Sequence, residues 1–292
     1  MGHSSEAVRA RKVRQAIPPG IEERWAEVDG KRMRYLHGGS GPAVLFLHGL
    51  MGYSFSWSEN LAELARDFTV YAPDLFNCGW SDRVEQDGRL ETTARSALAF
   101  MDAVGVPRAH LVGSSHGGTL AMLAAALAPE RCDKVVAISP ANPWSEKRRW
   151  QARVFATWWG SIAGRLAPYA APVVHGYFMM RLYADRSRVL PGTVAGYNAP
   201  LKVPGTVRYL LAVMRWWRED FGQLSAQWGP LQNKHLIFIW GDADSVVPLR
   251  YREDLAREFP QAKFLVIPDA GHLPYEERPE MFNEMLRECL RG

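Results

Sequence analysis

The chain has 292 residues, 47% hydrophobic and 23% charged, with a formal net charge of +4 and a pI near 9.0. This is enough chain for one large soluble domain, or a core with an insertion, and the scattered Lys and Arg argue against nucleic-acid binding. Three distant cysteines, Cys78, Cys132 and Cys289, with no C-x-x-C pair, argue against disulfides or structural zinc and suit a reducing compartment.

Residues 1–20 read as an N-terminal extension. Met1 to Arg14 carries arginines and Lys12 but no apolar h-region or cleavage site, so it is not read as a signal peptide. No apolar run approaches the length of a membrane span, and a cytoplasmic location is expected. From Ile21 the pattern turns strand-like. Trp25 to Asp29 and Arg32 to Leu36 read as a hairpin, because Asp29-Gly30 suits a two-residue turn. Ala43 to Leu47 is a continuous apolar run, as in a strand buried on both faces, and ends in His48-Gly49-Leu50-Met51-Gly52. A helix is predicted from Ser54 to Arg66, a strand from Phe68 to Ala72, a loop from Pro73 to Asp82 and a helix from Leu90 to Val104. The apolar run Ala109 to Val112 then enters Gly113-Ser114-Ser115-His116-Gly117, followed by a helix, Thr119 to Ala128, and a strand, Lys134 to Ile138.

The alternation stops at Ser139. Residues 140–230 show no good strand, hold seven of the eleven tryptophans and carry proline-separated helical pieces, so they read as a helical lid inserted between two strands. The pattern resumes with a strand from His235 to Trp240, then Gly241-Asp242-Ala243-Asp244, a helix from about Leu249 to Glu258 and a strand from Lys263 to Ile267. Pro268 to His272 and a last helix, Glu277 to Leu290, complete the chain. Strands alternating with helices imply an α/β fold. The expectation is a doubly wound, mostly parallel sheet with an N-terminal hairpin, whose core is 21–139 and 231–292.

Ser115 lies where a strand gives way to a helix, between two glycines that let the two elements close on each other. Without an acid and a base it would be an ordinary turn serine. Asp244 and His272 each follow a predicted strand, and in a parallel sheet these strand ends share one edge. Ser115 can therefore meet His272 as its base, with Asp244 to hold the base. A capping role for His272, and Asp242 as the acid with Asp244 spare, are the alternatives.

From about Ile21 onward the chain resembles the lidded, serine-nucleophile branch of the α/β-hydrolase superfamily. His48-Gly49-Leu50 looks like its oxyanion loop, Asp74 to Ser81 its D-x-x-G-x-G-x-S turn, Gly241-x-x-Asp244 with Val247-Pro248 its acid motif, and Gly271-His272 its base motif. Asn77 stands where that turn usually has glycine, and Asn tolerates a left-handed backbone. The resemblance implies an order of nucleophile, acid and base that this chain keeps, and an oxyanion hole from the backbone N–H groups of Leu50 and His116. It implies no cofactor and no metal, and the lid's aromatic residues, some of them expected to face the cleft, point to a small acyl or aromatic substrate of low polarity. Candidate substrate contacts are His48, Trp144, Trp158, Trp159, Phe178 and Trp216. The bland alternatives are a structural His48, a merely packed His116 and a lid whose aromatics mostly fill the core.

A carboxylesterase is the first expectation. A carbon–carbon hydrolase of the meta-cleavage-product type is the alternative. Trp57 and Asn60 stand where such enzymes have similar residues, but their Gly-rich, proline-containing stretch after His-Gly is missing. A non-catalytic ligand receptor on the same fold is the alternative from another class, and contact of an apolar lid with a membrane surface is a minor one.

Overall fold

Successive residues of a strand face opposite ways, and in the middle of this chain both sets are apolar. In a computed structural model, which describes residues 16–144, 162, 176 and 178–292, Val44 and Phe46 join one buried cluster while Leu45 and Leu47 join another. Such a strand needs cover on both sides, and the architecture follows from that need.

The strands are β1 (Glu22–Val28), β2 (Lys31–Gly38), β3 (Ala43–Leu47), β4 (Thr69–Pro73), β5 (Ala109–Ser114), β6 (Cys132–Ile138), β7 (His235–Gly241) and β8 (Lys263–Ile267). The helices among the described residues are α1 (Leu61–Leu64), α2 (Leu90–Ala103), α3 (His116–Leu127), α4 (Thr193–Leu201), α5 (Thr206–Gln223), α6 (Arg252–Glu258), α7 (Pro274–Glu277) and α8 (Pro279–Arg291). One eight-stranded sheet runs in the order β1-β2-β4-β3-β5-β6-β7-β8. The pairs β1–β2 and β2–β4 are antiparallel and the rest parallel. The β1–β2 hairpin turns at Asp29 and Gly30, with φ of 51° and 72°, as a twisted two-residue hairpin requires. Phe100 of α2, Leu120 of α3 and Leu255 of α6 are buried with one face of the sheet, whereas Leu61 of α1 and Phe282 and Leu286 of α8 are buried with the other. The expected doubly wound α/β fold is present.

Several predicted helices differ in detail: α3 begins at His116 and not Thr119, and Leu249 to Glu258 divides into a 3₁₀ turn, Leu249–Tyr251, and α6. The stretch Ser54 to Arg66 is broken into a 3₁₀ turn, Ser54–Trp57, and the short α1. Asn60 lies at the break, and its amide donates to Tyr275 O and to Asn283 Oδ1, each at 2.9 Å. That tertiary anchor overrides local helix propensity. The last helix begins at Pro279 and not at Glu277, because proline suits a first helical turn. Between β6 and β7 the described residues form α4 and α5 and no strand. No helix among the described residues is long and apolar enough to cross a membrane. Cys78, Cys132 and Cys289 are buried free thiols, and burial pushes the first two up to about 12.

The register sets where functional loops emerge. Leu47 pairs with Gly113, Ser114 with Ile138, Ile138 with Ile239 and Gly241 with Ile267. The carboxyl ends of β3, β5, β6, β7 and β8 therefore lie along one edge. The sequential order also reverses there, since β3 sits between β4 and β5, and such a reversal opens a crevice for ligands.

Candidate active site

Ser115 occupies the turn between β5 and α3 with φ 54° and ψ −117°, a conformation L residues rarely hold. Three backbone bonds fix it there. Its N–H donates to Ile138 O at 2.8 Å, and its carbonyl accepts from Ala141 N and Thr119 N, each at 3.2 Å. The flanking glycines are required by contact. A Cβ on Gly113 would lie 2.1 Å from Gly117 O, and one on Gly117 would lie 2.2 Å from Leu47 O. The turn after β3 packs on the serine as well, since a Cβ on Gly49 would come within 3.5 Å of Ser115 Cβ.

That turn is built by His48 and Met51. Nδ1 of the buried His48 donates to Gly49 O at 2.9 Å, and Nε2 accepts from Leu75 N at 3.2 Å, so both ring nitrogens are used by backbone. Burial lowers its pKa and keeps it neutral, consistent with that pairing. His48 therefore shapes the turn and has no ring nitrogen left for a ligand. Gly52 N–H donates to Gly49 O at 2.9 Å, with Met51 at φ 66°, and this turn carries the Leu50 N–H. Among the described residues, the N–H groups of Leu50 and His116 donate to no protein acceptor.

On the same edge, His272 Nδ1 lies 2.8 Å from Asp244 Oδ2, both side chains buried. A carboxylate only accepts, so Nδ1 carries the proton of this bond. Asp244 Oδ1 accepts from Val246 N at 2.7 Å and Val247 N at 2.9 Å, which holds the carboxylate still. Asp242 is exposed, and its N–H donates to Ile267 O at 3.2 Å. His272 is paired with Asp244 and not with Asp242. No hydrogen bond joins Ser115 Oγ to the His272 ring among the described residues. Such bonds are often long before substrate binds.

Two residues near the site are not among the candidates nominated from the sequence. Glu277, fully buried, accepts from Gly271 N at 2.7 Å, Ala184 N at 3.1 Å and Asp185 N at 2.7 Å. With His272 N–H donating to Leu182 O at 2.7 Å, it fastens the histidine's loop to residues 182–185. Trp217 of α5 stacks on His116, centroids 6.0 Å apart and planes 23° apart. Neighbouring Trp216, nominated from sequence, instead lies under the Arg89 guanidinium, 3.8 Å from ring centroid to Cζ. Adjacent helical residues point in different directions, so only one of the pair can reach His116. Of the other nominated aromatics, Trp144 packs on Trp228 with centroids 5.9 Å apart, Phe178 is 43% exposed, and Trp158 and Trp159 lie outside the described residues. Trp57 packs on Phe46 and Tyr275, and with Asn60 it serves the core.

The family model described as alpha/beta hydrolase fold matches residues 42–279. The chain belongs to the α/β-hydrolase family. It is 30% identical over 275 residues to the dihydrolipoyllysine-residue acetyltransferase component of the acetoin cleaving system of Cupriavidus necator, covering 92% of this chain and 69% of that one. It is 27% identical to haloalkane dehalogenase 2 of Mycobacterium bovis, covering 89% and 92%. Its structure resembles the 2-hydroxy-6-oxo-6-phenylhexa-2,4-dienoate hydrolase of Rhodococcus with a TM-score of 0.76 and 24% identity, covering 93% and 99%. The family is one of hydrolases, and in this chain Ser115, Asp244 and His272 follow the carboxyl ends of β5, β7 and β8 along one sheet edge.

Proposed function

We propose that this α/β-hydrolase is a serine hydrolase that cleaves a carboxylic ester, or a related acyl bond, of a low-polarity substrate through an acyl-enzyme on Ser115. The observation that carries the reading is the 2.8 Å bond from His272 to Asp244 on the sheet edge that also bears Ser115 in a strained turn. His272 Nε2 takes the Ser115 proton, and Oγ attacks the acyl carbonyl. The resulting oxyanion receives the N–H groups of Leu50 and His116, each worth about 3 kcal/mol in the transition state. His272 then protonates the leaving group, and a water repeats the sequence on the acyl-enzyme. Residues 140–230 form the lid in this reading, and Trp217 contributes to the substrate surface.

A fluorophosphonate tests it. The expected outcome is covalent labelling of Ser115, loss of labelling in Ser115→Ala, and a fall in kcat of about 10⁶-fold in that variant. A chain that binds ligand normally while Ser115 stays unreactive would belong to the receptor class. Aryl esters of rising chain length, run beside a vinylogous 1,5-diketone, separate esterase from carbon–carbon hydrolase. Turnover of the diketone alone would sink the esterase reading.

A further inference from the structure

His116 follows the proposed nucleophile directly and carries a polar atom that the mechanism does not use. Its side chain is 4% exposed, and Nε2 has no hydrogen-bond partner among the described residues. Its neighbour Trp217 packs against a cluster of Cys78, Tyr209 and Val213, and Leu50 of the proposed oxyanion turn packs on the same cluster. His48, nearby, has both nitrogens satisfied. An unmet buried nitrogen is destabilising, and a phenylalanine of similar shape would remove that penalty.

Burial, with a smaller contribution from His48, pushes the His116 imidazole down to about 3, so the ring is neutral at physiological pH. A neutral imidazole in apolar surroundings carries no charge, and in the tautomer protonated at Nε2 that nitrogen donates one hydrogen bond to an oxygen acceptor. It suits a hydroxyl, keto or ether oxygen, whereas a carboxylate brought beside it would lose its water with nothing to balance the loss. His116 opens α3 directly after Ser115, and its stacking partner Trp217 packs on the same cluster as Leu50 of the proposed oxyanion turn. We propose that His116 is a specificity-determining residue whose Nε2 hydrogen-bonds a neutral oxygen substituent close to the scissile carbonyl. This rests on the serine-hydrolase reading and narrows its substrate class to oxygenated, uncharged esters.

The test is a matched substrate panel on the full chain. One arm compares phenyl butanoate with its hydroxy and oxo derivatives, placing the oxygen on the acyl side. The other compares butyl butanoate with its methoxyethyl counterpart, placing it on the alcohol side. Phenyl hydrogen succinate is the charged control. In the wild type one arm favours the oxygenated member by about tenfold or more in kcat/KM, and the succinate is disfavoured. His116→Phe brings that ratio to about one while its Tm holds or rises, and His116→Gln, which keeps a hydrogen-bonding group, retains part of the ratio. His116→Leu serves if the phenylalanine variant does not fold. A fluorophosphonate-reactive wild type with no preference in either arm overturns the inference alone, as does a Phe or Leu variant that keeps the preference. A wild type that does not take the fluorophosphonate overturns the serine reading itself.

Discussion

Asp242 and Asp244 lie two positions apart, and chemically identical side chains have been given unlike surroundings. Asp244 is buried on His272 and held by two backbone N–H groups, whereas Asp242 is exposed. Asp244→Asn should lower kcat by about 10⁴-fold, because an amide donor facing Nδ1 favours the wrong tautomer. Asp242→Asn should stay within about threefold, since surface changes have small effects. Steady-state kinetics on any turned-over ester checks both. Glu277 is the subtler residue. Its removal in Glu277→Ala frees Gly271, next to His272, and misplacement of a base by about 1 Å costs about 10²-fold. The expected signature is a fall in kcat with KM nearly unchanged, and partial rescue in Glu277→Gln, which keeps an acceptor oxygen. Asp244 and His272 could be nominated from sequence because each follows its own strand in a short motif, and the structure pairs them. Glu277 could not, since two of its backbone donors, Ala184 and Asp185, lie 93 and 92 residues away.

At the scale of elements, the β5–α3 junction leaves no room for a side chain at either of its glycines. A methyl group on Gly117 would collide with backbone of the neighbouring strand end, at Leu47 O and His48 O, and backbone cannot swing aside as a side chain can. Gly117→Ala should therefore destabilise the fold by about 3 kcal/mol or more, read as a lowered urea midpoint with an unchanged slope. This junction was readable from Gly113 and Gly117 because one part of the constraint, the approach of Gly113 to Gly117 four residues on, is local. The doubly wound sheet was readable for the same reason, since apolar runs such as Ala43 to Leu47 report burial on both faces. The break near Asn60 and the choice of Trp217 over Trp216 were not. The first depends on bonds to Tyr275 and Asn283, and the second on the rotation of one helix against its neighbours.

Across the whole molecule, His37, His48, His110 and His116 all have pKa values lowered chiefly by burial. Each binds its proton less readily in the folded chain than in the unfolded one, whose ordinary value is near 6.5. The unfolded state then binds more protons, so stability is present above that pH and is lost as pH falls below it. For His116, held near 3, the loss one unit below 6.5 is about 1 kcal/mol. Thermal melts from about pH 7 to about pH 5 should show a falling Tm, with a shallower slope in His116→Phe.

The three thiols have a practical bearing on all of these measurements. Each is buried, and two are held as thiols up to about pH 12, so alkylating reagents that need a thiolate find none in the folded chain near neutrality. Unfolding exposes all three. One sample can thus carry two independent chemical clocks. Uptake of iodoacetamide times the opening of the core, and uptake of fluorophosphonate times the reactivity of Ser115. A variant that loses the second without gaining the first has lost its chemistry and kept its fold.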